Sequence, residues 1–295
     1  MGKSAFLSGW KRIGICIVCL VLLSGCAATH VQQHPEGDRG WSEYVQQGVA
    51  DISKGNYKRA LPVMNTALER EPRNPGLYYN RGMCHAGLKQ YARAIEDFQK
   101  AIELEPSFVR AYSNLAWTYF SMGDQERALG ELQRALQETG ESAQIYYNLG
   151  LIHAKNGDYD RAVEDYSRAV ELRPTMAEAF NNRGVARIHL QEYDKAIDDL
   201  SRAVALDPDT ARYAYNQAIA SEEQGRTDKA ISLYTKALQK DHTFAPAYNN
   251  RGLLRFQMGV KGLGCQDLEQ ACKHGLCDRL RQLQENGECS GAMAR

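Results

Sequence analysis

Cysteine is the residue with the most chemistry to offer in this chain of 295 residues, and its eight copies are unevenly placed. Cys16 and Cys19 sit in an apolar run, Cys26 follows it, and Cys84 stands alone on an apolar stretch. Cys265, Cys272, Cys277 and Cys289 gather at the C-terminus. Four is an even number, which suits disulfides wherever the compartment is oxidising. Zinc on Cys272, His274 and Cys277 is the rival, but the CxxC spacing of such sites is missing, so no metal is expected. Cys84 reads as a small core residue. Glu96-Asp97, Glu164-Asp165 and Asp198-Asp199 lie at multiples of 34 residues from one another, as a solvated helix face would, rather than as an acid and base pair. His85 and His153 share one register and read as packing residues. No P-loop, GxSxG or HExxH is present. The chain therefore reads as no enzyme, with no cofactor and no small-molecule substrate.

The compartment is legible at the N-terminus. Lys3, Lys11 and Arg12 precede eleven uncharged, mostly apolar residues, 13–23. A helix spanning a bilayer of about 30 Å needs roughly 20 apolar residues, so this run is too short to cross. A basic segment followed by a short apolar one is the pattern of a signal peptide, here residues 1–25. Leu23-Ser24-Gly25-Cys26 resembles the lipobox of bacterial lipoproteins, which implies that Cys26 becomes the acylated first residue. Acyl chains contribute about 0.8 kcal/mol per buried methylene, so such an end anchors without a membrane-spanning helix. Residues 26–40 hold little apolar bulk beyond Val31 and read as a solvated tether. Ala27 after the cysteine implies, by the same resemblance, an outer-membrane anchor facing the periplasm where the organism has one. The 36 basic and 36 acidic side chains cancel, and losing residues 1–25 leaves a net charge of −3. Neither value draws the chain toward nucleic acid.

The elements that must position these residues come from a repeat. From Trp41 the chain falls into seven rows of 34 residues without a slip, starting at 41, 75, 109, 143, 177, 211 and 245 and ending at 278. Position eight is Gly or Ala in every row. Position twenty is Ala in the first six rows and Gly264 in the last, and position twenty-seven is Ala throughout. This pattern resembles the tetratricopeptide repeat. The resemblance implies an all-α fold: a right-handed superhelical solenoid of seven helix-turn-helix repeats plus a C-terminal capping helix. Small residues let two antiparallel helices approach, and the larger position twenty-four is expected to fill the space between hairpins. Pro62 should kink a second helix. Gly262 and Gly264 should weaken the last one, and a cap from about Leu276 to Glu285 opens the closing segment, 276–295. If the last repeat helix and the cap run antiparallel, Cys272 and Cys277 flank the turn while Cys265 and Cys289 meet at the far end. Cys265 to Cys272 within one helix is disfavoured, because seven residues rise about 10 Å and a disulfide tolerates about 7 Å between Cα atoms.

In this family the first helices line a concave groove, through positions two, five, six, nine, twelve and thirteen. Position six is Asn80, Asn114, Asn148, Asn182, Asn216 and Asn250 in six successive rows. A carboxamide can donate and accept, as needed to hold a peptide backbone. The ladder resembles that of the transferase that attaches N-acetylglucosamine to proteins. Equally, the asparagines can bond to the neighbouring hairpin. Tyr79, Tyr147, Tyr215, Trp117 and Phe120 lie beside them as candidate contacts, with packing between first helices as the alternative. The Lys and Asn set that clamps a terminal carboxylate in chaperone-binding relatives is missing. The expectation is a membrane-anchored protein–protein interaction scaffold of the bacterial envelope, with an extended peptide or partner helix in the groove. The alternative is a structural assembly component, for pilus, secretin or cell-wall machinery, acting through its ends or convex face.

Overall fold

The computed structural model describes residues 38–289. The signal segment 1–25, Cys26 and the tether as far as residue 37 lie outside the described residues. Fifteen helices and no strand are found among those described. Hairpin 1 is α1 (Asp38–Ser53) and α2 (Tyr57–Arg70), hairpin 2 is α3 (Pro75–Gly87) and α4 (Tyr91–Leu104), and hairpin 3 is α5 (Val109–Ser121) and α6 (Gln125–Thr139). Hairpin 4 is α7 (Ala143–Lys155) and α8 (Tyr159–Leu172), and hairpin 5 is α9 (Ala177–His189) and α10 (Tyr193–Leu206). Hairpin 6 is α11 (Ala211–Glu223) and α12 (Thr227–Lys240), hairpin 7 is α13 (Ala245–Gln257) and α14 (Lys261–Lys273), and α15 (Asp278–Glu285) follows.

The chain divides into two units, at Tyr44 and Val45. The described part of the first is the opening of α1, where the Trp41 and Tyr44 rings lie 5.8 Å apart. That helix starts at Asp38, so residues 38–40, expected as tether, are helical. The second unit holds the stack.

Each hairpin closes on its small residues. Ala60, Ala94, Ala128, Ala162, Ala196 and Ala230 are fully buried, as is every alanine at position twenty-seven. A Cβ on Gly82, Gly150 or Gly184 would come 2.7 Å from Phe98, Tyr166 or Leu200. The position twenty-four side chain thus occupies the place a position eight side chain would take, inside its own hairpin rather than only between hairpins. Gly264 is more than a weak helix former: a Cβ there would meet the Gly252 carbonyl oxygen at 2.8 Å, so the two helix backbones of hairpin 7 approach closer than alanine allows. The interhelical turn needs one left-handed residue. Glycine supplies it in five hairpins, and Lys89 (φ 59°) and Gln191 (φ 61°) do so in hairpins 2 and 5. Pro62 lies on the exposed side of α2, which runs on unbroken to Arg70.

The recurring acids correct the sequence reading. Glu96, Glu164 and Asp198 are exposed, but Asp97, Asp199 and Asp267 are buried. Arg81 pairs with Asp97 at 2.7 Å, Arg183 and Arg187 with Asp199 at 2.6 Å each, and Arg251 and Arg255 with Asp267 at 2.7 and 2.8 Å. These pairs bind first helix to second helix. The histidines belong to the same layer and do more than pack. His153 Nδ1 lies 2.7 Å from Asp165, whose carboxyl is pushed up by burial, and His85 Nδ1 lies 2.7 Å from Gln90.

At the C-terminal end, disulfides join Cys265 to Cys289 and Cys272 to Cys277. Leu268 of α14 packs with Leu280 and Leu283 of α15, so the cap covers the apolar flank that an eighth hairpin would cover. Cys84 is free and buried, and burial pushes its thiol up to about 11. The reactive thiolate is therefore scarce at neutral pH.

Candidate functional site

Successive first helices touch directly, α3 on α5, α5 on α7, α7 on α9 and α9 on α11, whereas second helices make no comparable contact with each other. The stack is tightest on its first-helix side, and the candidate residues lie there.

The asparagine ladder is tied to the hairpin before it. Asn114 Nδ2 donates to Tyr79 Oη at 2.9 Å, Asn148 to Ser113 Oγ at 2.7 Å and Asn182 to Tyr147 Oη at 3.2 Å. Asn216 donates to Asn181 Oδ1 at 2.7 Å, and Asn250 to Tyr215 Oη at 3.4 Å. In every case position six of one hairpin bonds to position five of the preceding one. Asn80 would face Val45 in this register, and valine has no acceptor. Several carboxamide oxygens are engaged too: Asn181 Nδ2 donates to Asn182 Oδ1 at 2.9 Å and Asn249 Nδ2 to Asn250 Oδ1 at 3.1 Å. Burial pushes the Tyr79, Tyr147 and Tyr215 phenols up, so they stay neutral acceptors for these amides.

Position five alternates along the stack: Tyr79, Ser113, Tyr147, Asn181, Tyr215, Asn249. Position twenty-four alternates with it, Phe98, Leu132, Tyr166, Leu200, Tyr234, Leu268, and so does the last residue of each row, Phe108, Ser142, Met176, Thr210, Phe244 from hairpin 2 onward. The structure brings the three sets together. In hairpins 2, 4 and 6 the position five tyrosine lies against its own hairpin's aromatic, Tyr79–Phe98 at 6.0 Å, Tyr147–Tyr166 at 5.9 Å and Tyr215–Tyr234 at 5.6 Å between centroids. It also meets the residue that opens the next hairpin: Phe108 lies 5.1 Å from Tyr79, Phe244 lies 5.0 Å from Tyr215, and Tyr147 packs on the cluster holding Met176. Phe108, Met176 and Phe244 occupy the N-cap positions of α5, α9 and α13 and give those helices no side-chain cap. A lost cap costs about 1 kcal/mol, which burial of a large apolar side chain, about 1.5–3 kcal/mol, offsets. The structural period is therefore two hairpins.

Two cavities follow that period. One, of about 410 Å³, lies over hairpin 3 and is lined by Tyr79, Arg110, Ser113, Trp117, Gln144 and Leu151, among others. The other, of about 420 Å³, lies over hairpin 5, lined by Tyr147, Leu151, Lys155, Glu178, Asn181, Asn182, His189 and Arg212, among others. Each lies beside a position five tyrosine and over a smaller position five residue, and Leu151 borders both. Trp117 is 45% exposed and stacks on the half-buried Phe120 at 5.4 Å. Position nine is apolar in every hairpin, Val49, Met83, Trp117, Leu151, Val185, Ile219 and Leu253, none of them fully buried. That stripe runs the length of the first-helix face. Position nine and the tyrosines of position five were readable in the rows as groove positions, but the two-hairpin alternation emerges only from positions five, twenty-four and thirty-four together.

Models of the tetratricopeptide repeat match residues 76–108 and, in overlapping segments, 113–177, 147–209 and 181–246, together more than half of the chain. None of these models describes an enzyme. No curated protein matches the chain. Among solved structures it is similar to a chain of the APC/C hetero-tetramer Cut9-Hcn1, at 17% identity and TM-score 0.64 over 84% of this chain and 49% of that one, so it spans about half of that protein. It is also similar to a tetratricopeptide repeat protein from Parabacteroides merdae, at 19% identity and TM-score 0.59 over 84% of this chain and 98% of that one. The C-terminal part of a repeat protein from Cytophaga hutchinsonii gives 16%, 0.59, 84% and 100%. At these identities the likeness is one of fold. With the repeat models spread over five of the seven rows, hairpins 2 to 6, the chain belongs to the tetratricopeptide-repeat family.

Proposed function

We propose that this protein is a membrane-anchored interaction scaffold of a bacterial envelope that holds an extended segment of a protein partner along its first-helix face. The observation that carries the reading is the unbroken apolar stripe at position nine, with the two cavities beside it. An apolar stripe rimmed by polar residues is the usual mark of a protein-binding surface, and cavities of roughly 300–1,000 Å³ are the usual size of a recognition pocket. The asparagine ladder supports that surface by fixing one first helix against the next. Anchoring rests on Leu23-Ser24-Gly25-Cys26, and no described helix is long and apolar enough to cross a membrane.

Leu151→Arg places a long cation between the two cavities while its stem stays at the surface. Crosslinked recovery from membranes should lose the partner with this variant and keep it with Glu103→Arg on a second helix. Equal recovery from both sinks the groove reading. Metabolic labelling with an alkyne fatty acid tests the anchor, with label expected on the native chain and absent from Cys26→Ser.

A second reading, assembly through an end, is favoured by one observation. Position nineteen is Arg or Lys in the first six hairpins and Leu263 in the last. With Met258 and Val260 it makes an apolar patch at the final interhelical turn. Leu263→Lys restores the pattern and should lose the partner if this end is the site.

A further inference from the structure

The two cavities differ in charge although they are built alike. Over hairpin 3 the lining holds one charged residue, Arg110, and no acid. Its guanidinium lies 5.6 Å from the Tyr79 ring centroid and 5.5 Å from that of Phe108, held by the two rings and engaged by no carboxylate among the described residues. Ring contacts leave the in-plane N–H edge of an arginine open, and that edge matches a carboxylate. Beside it Trp117 offers an exposed indole face, backed by Phe120. Over hairpin 5 the lining is mixed, with Glu178 facing the same cavity as Lys155, His189 and Arg212. The rigid aromatic walls recur every second hairpin, so the two cavities lie two hairpins apart along one face.

We infer that the first-helix face reads one extended peptide through two anchor side chains, one per cavity, and that the anchor over hairpin 3 is an aromatic residue with an acidic neighbour. The inference rests on the groove reading above and deepens it by naming the partner's chemistry. The peptide backbone is not gripped by the asparagines, whose amides are bonded between hairpins. Selectivity instead comes from ring on ring at Trp117, from Arg110, and from the distance between the cavities.

The test uses the full chain and fluorescent Gly/Ser host peptides in three series. One carries a single Phe flanked by Asp, Asn or Lys. The second replaces that Phe with Ala. The third carries two Phe residues at increasing separations, the first with Asp neighbours. Affinity should be highest at one separation and about tenfold or more above the best single-anchor peptide, because the second anchor binds at raised effective concentration. Asp flanks should bind about tenfold tighter than Lys flanks, since close charge pairs at interfaces carry this much or more. Arg110→Glu should reverse that order, and Trp117→Ala should abolish the preference for Phe over Ala with the flank preference kept. Affinity independent of the separation, a flank order unchanged by Arg110→Glu, or no binding by any series overturns the inference. If that happens while Leu151→Arg still abolishes capture of the native partner, the groove reading stands and only the two-anchor inference falls.

Discussion

The joint between hairpins 4 and 5 and the next one, between hairpins 5 and 6, use the same positions of the repeat and are held by different physics. In the first, Tyr147 lies between Tyr166 and the cluster around Met176, and Asn182 bonds to its hydroxyl. In the second, Asn181 takes the place of the tyrosine and accepts the matching hydrogen bond from Asn216 at 2.7 Å, and the ring contact is lost. A ring fills space and fixes an angle, whereas a small amide closes the hydrogen-bond ladder and leaves room. Alternating the two gives stiff walls with cavities between them, which a solenoid of identical joints would lack. The largest test of that difference removes the wall. Tyr166 is 1% exposed, and Tyr166→Ala should destabilise the joint by about 3–5 kcal/mol. Asn181→Ala at the polar joint should cost about 1 kcal/mol. Because repeat stability is summed over nearest neighbours, amide hydrogen exchange should place the first loss around α8 and α9 and leave hairpins 1 and 2 protected. Equal costs would erase the distinction.

Hairpin 7 sharpens the comparison, because it has no following joint of either kind. The disulfide from Cys265 to Cys289 holds α15 in that place across a separation of 24 residues. A crosslink of this span contributes roughly 3 kcal/mol by restricting the unfolded chain. Cys265→Ser with Cys289→Ser should destabilise the C-terminal end by about that much, seen as a lower denaturant midpoint. Exchange should speed up in α15 and the end of α14, while the Tyr215–Phe244 contact keeps the joint before it closed. If that joint opens as well, the cap and not the aromatic wall is what holds hairpin 7.

Ring and hydrogen bond can be separated within one joint. Tyr147→Phe keeps the ring and leaves the Asn182 amide without that acceptor, for an expected loss of about 1 kcal/mol. Ser113→Ala removes the acceptor of Asn148 at a polar joint and should cost a similar amount. The hydrogen-bond contribution is then common to both joints, and the difference between them lies in the rings. A double-mutant cycle of Tyr147→Phe with Asn182→Ala, read by equilibrium unfolding, measures the coupling directly.

The helix pairs were legible because small residues recur at fixed places, and steric approach of two helices tolerates nothing larger there. The opening of α1 was not, since Asp38 to Gly40 precedes the first repeated position and carries no apolar signal. The ion pairs were hidden for another reason. Asp199 looks like Asp198 in the sequence, and burial of the first beside Arg183 and Arg187 depends on which face of α10 turns inward. The candidate site was half legible. Its position is a property of the repeat, and bonding of the asparagines to the neighbouring hairpin was one of the two roles the sequence offered, but the partners that decide for it are side chains 35 residues away.

The last contrast lies between two aromatic joints. Hairpin 6 carries Glu222 where hairpin 4 carries Ala154, and the Tyr234 hydroxyl donates to that carboxylate at 2.5 Å. Burial raises the Glu222 carboxyl, and the hydrogen bond from Tyr234 lowers it by less. A carboxyl whose folded pKa lies above its unfolded value binds its proton more tightly in the folded chain. Its ionisation therefore costs stability at neutral pH, and the cost disappears as pH falls through the folded pKa. Glu222→Gln keeps an acceptor for Tyr234 and removes the charge, so it should raise the melting temperature slightly at pH 7. The gain should shrink on acidification and vanish once the native carboxyl is protonated in both states, while Ala154→Gln in hairpin 4 should show no such pH dependence. A native chain more stable than the Gln variant at pH 7 would mean that the charged hydrogen bond to Tyr234 outweighs burial, and that this joint, unlike its counterpart in hairpin 4, is held by a carboxylate.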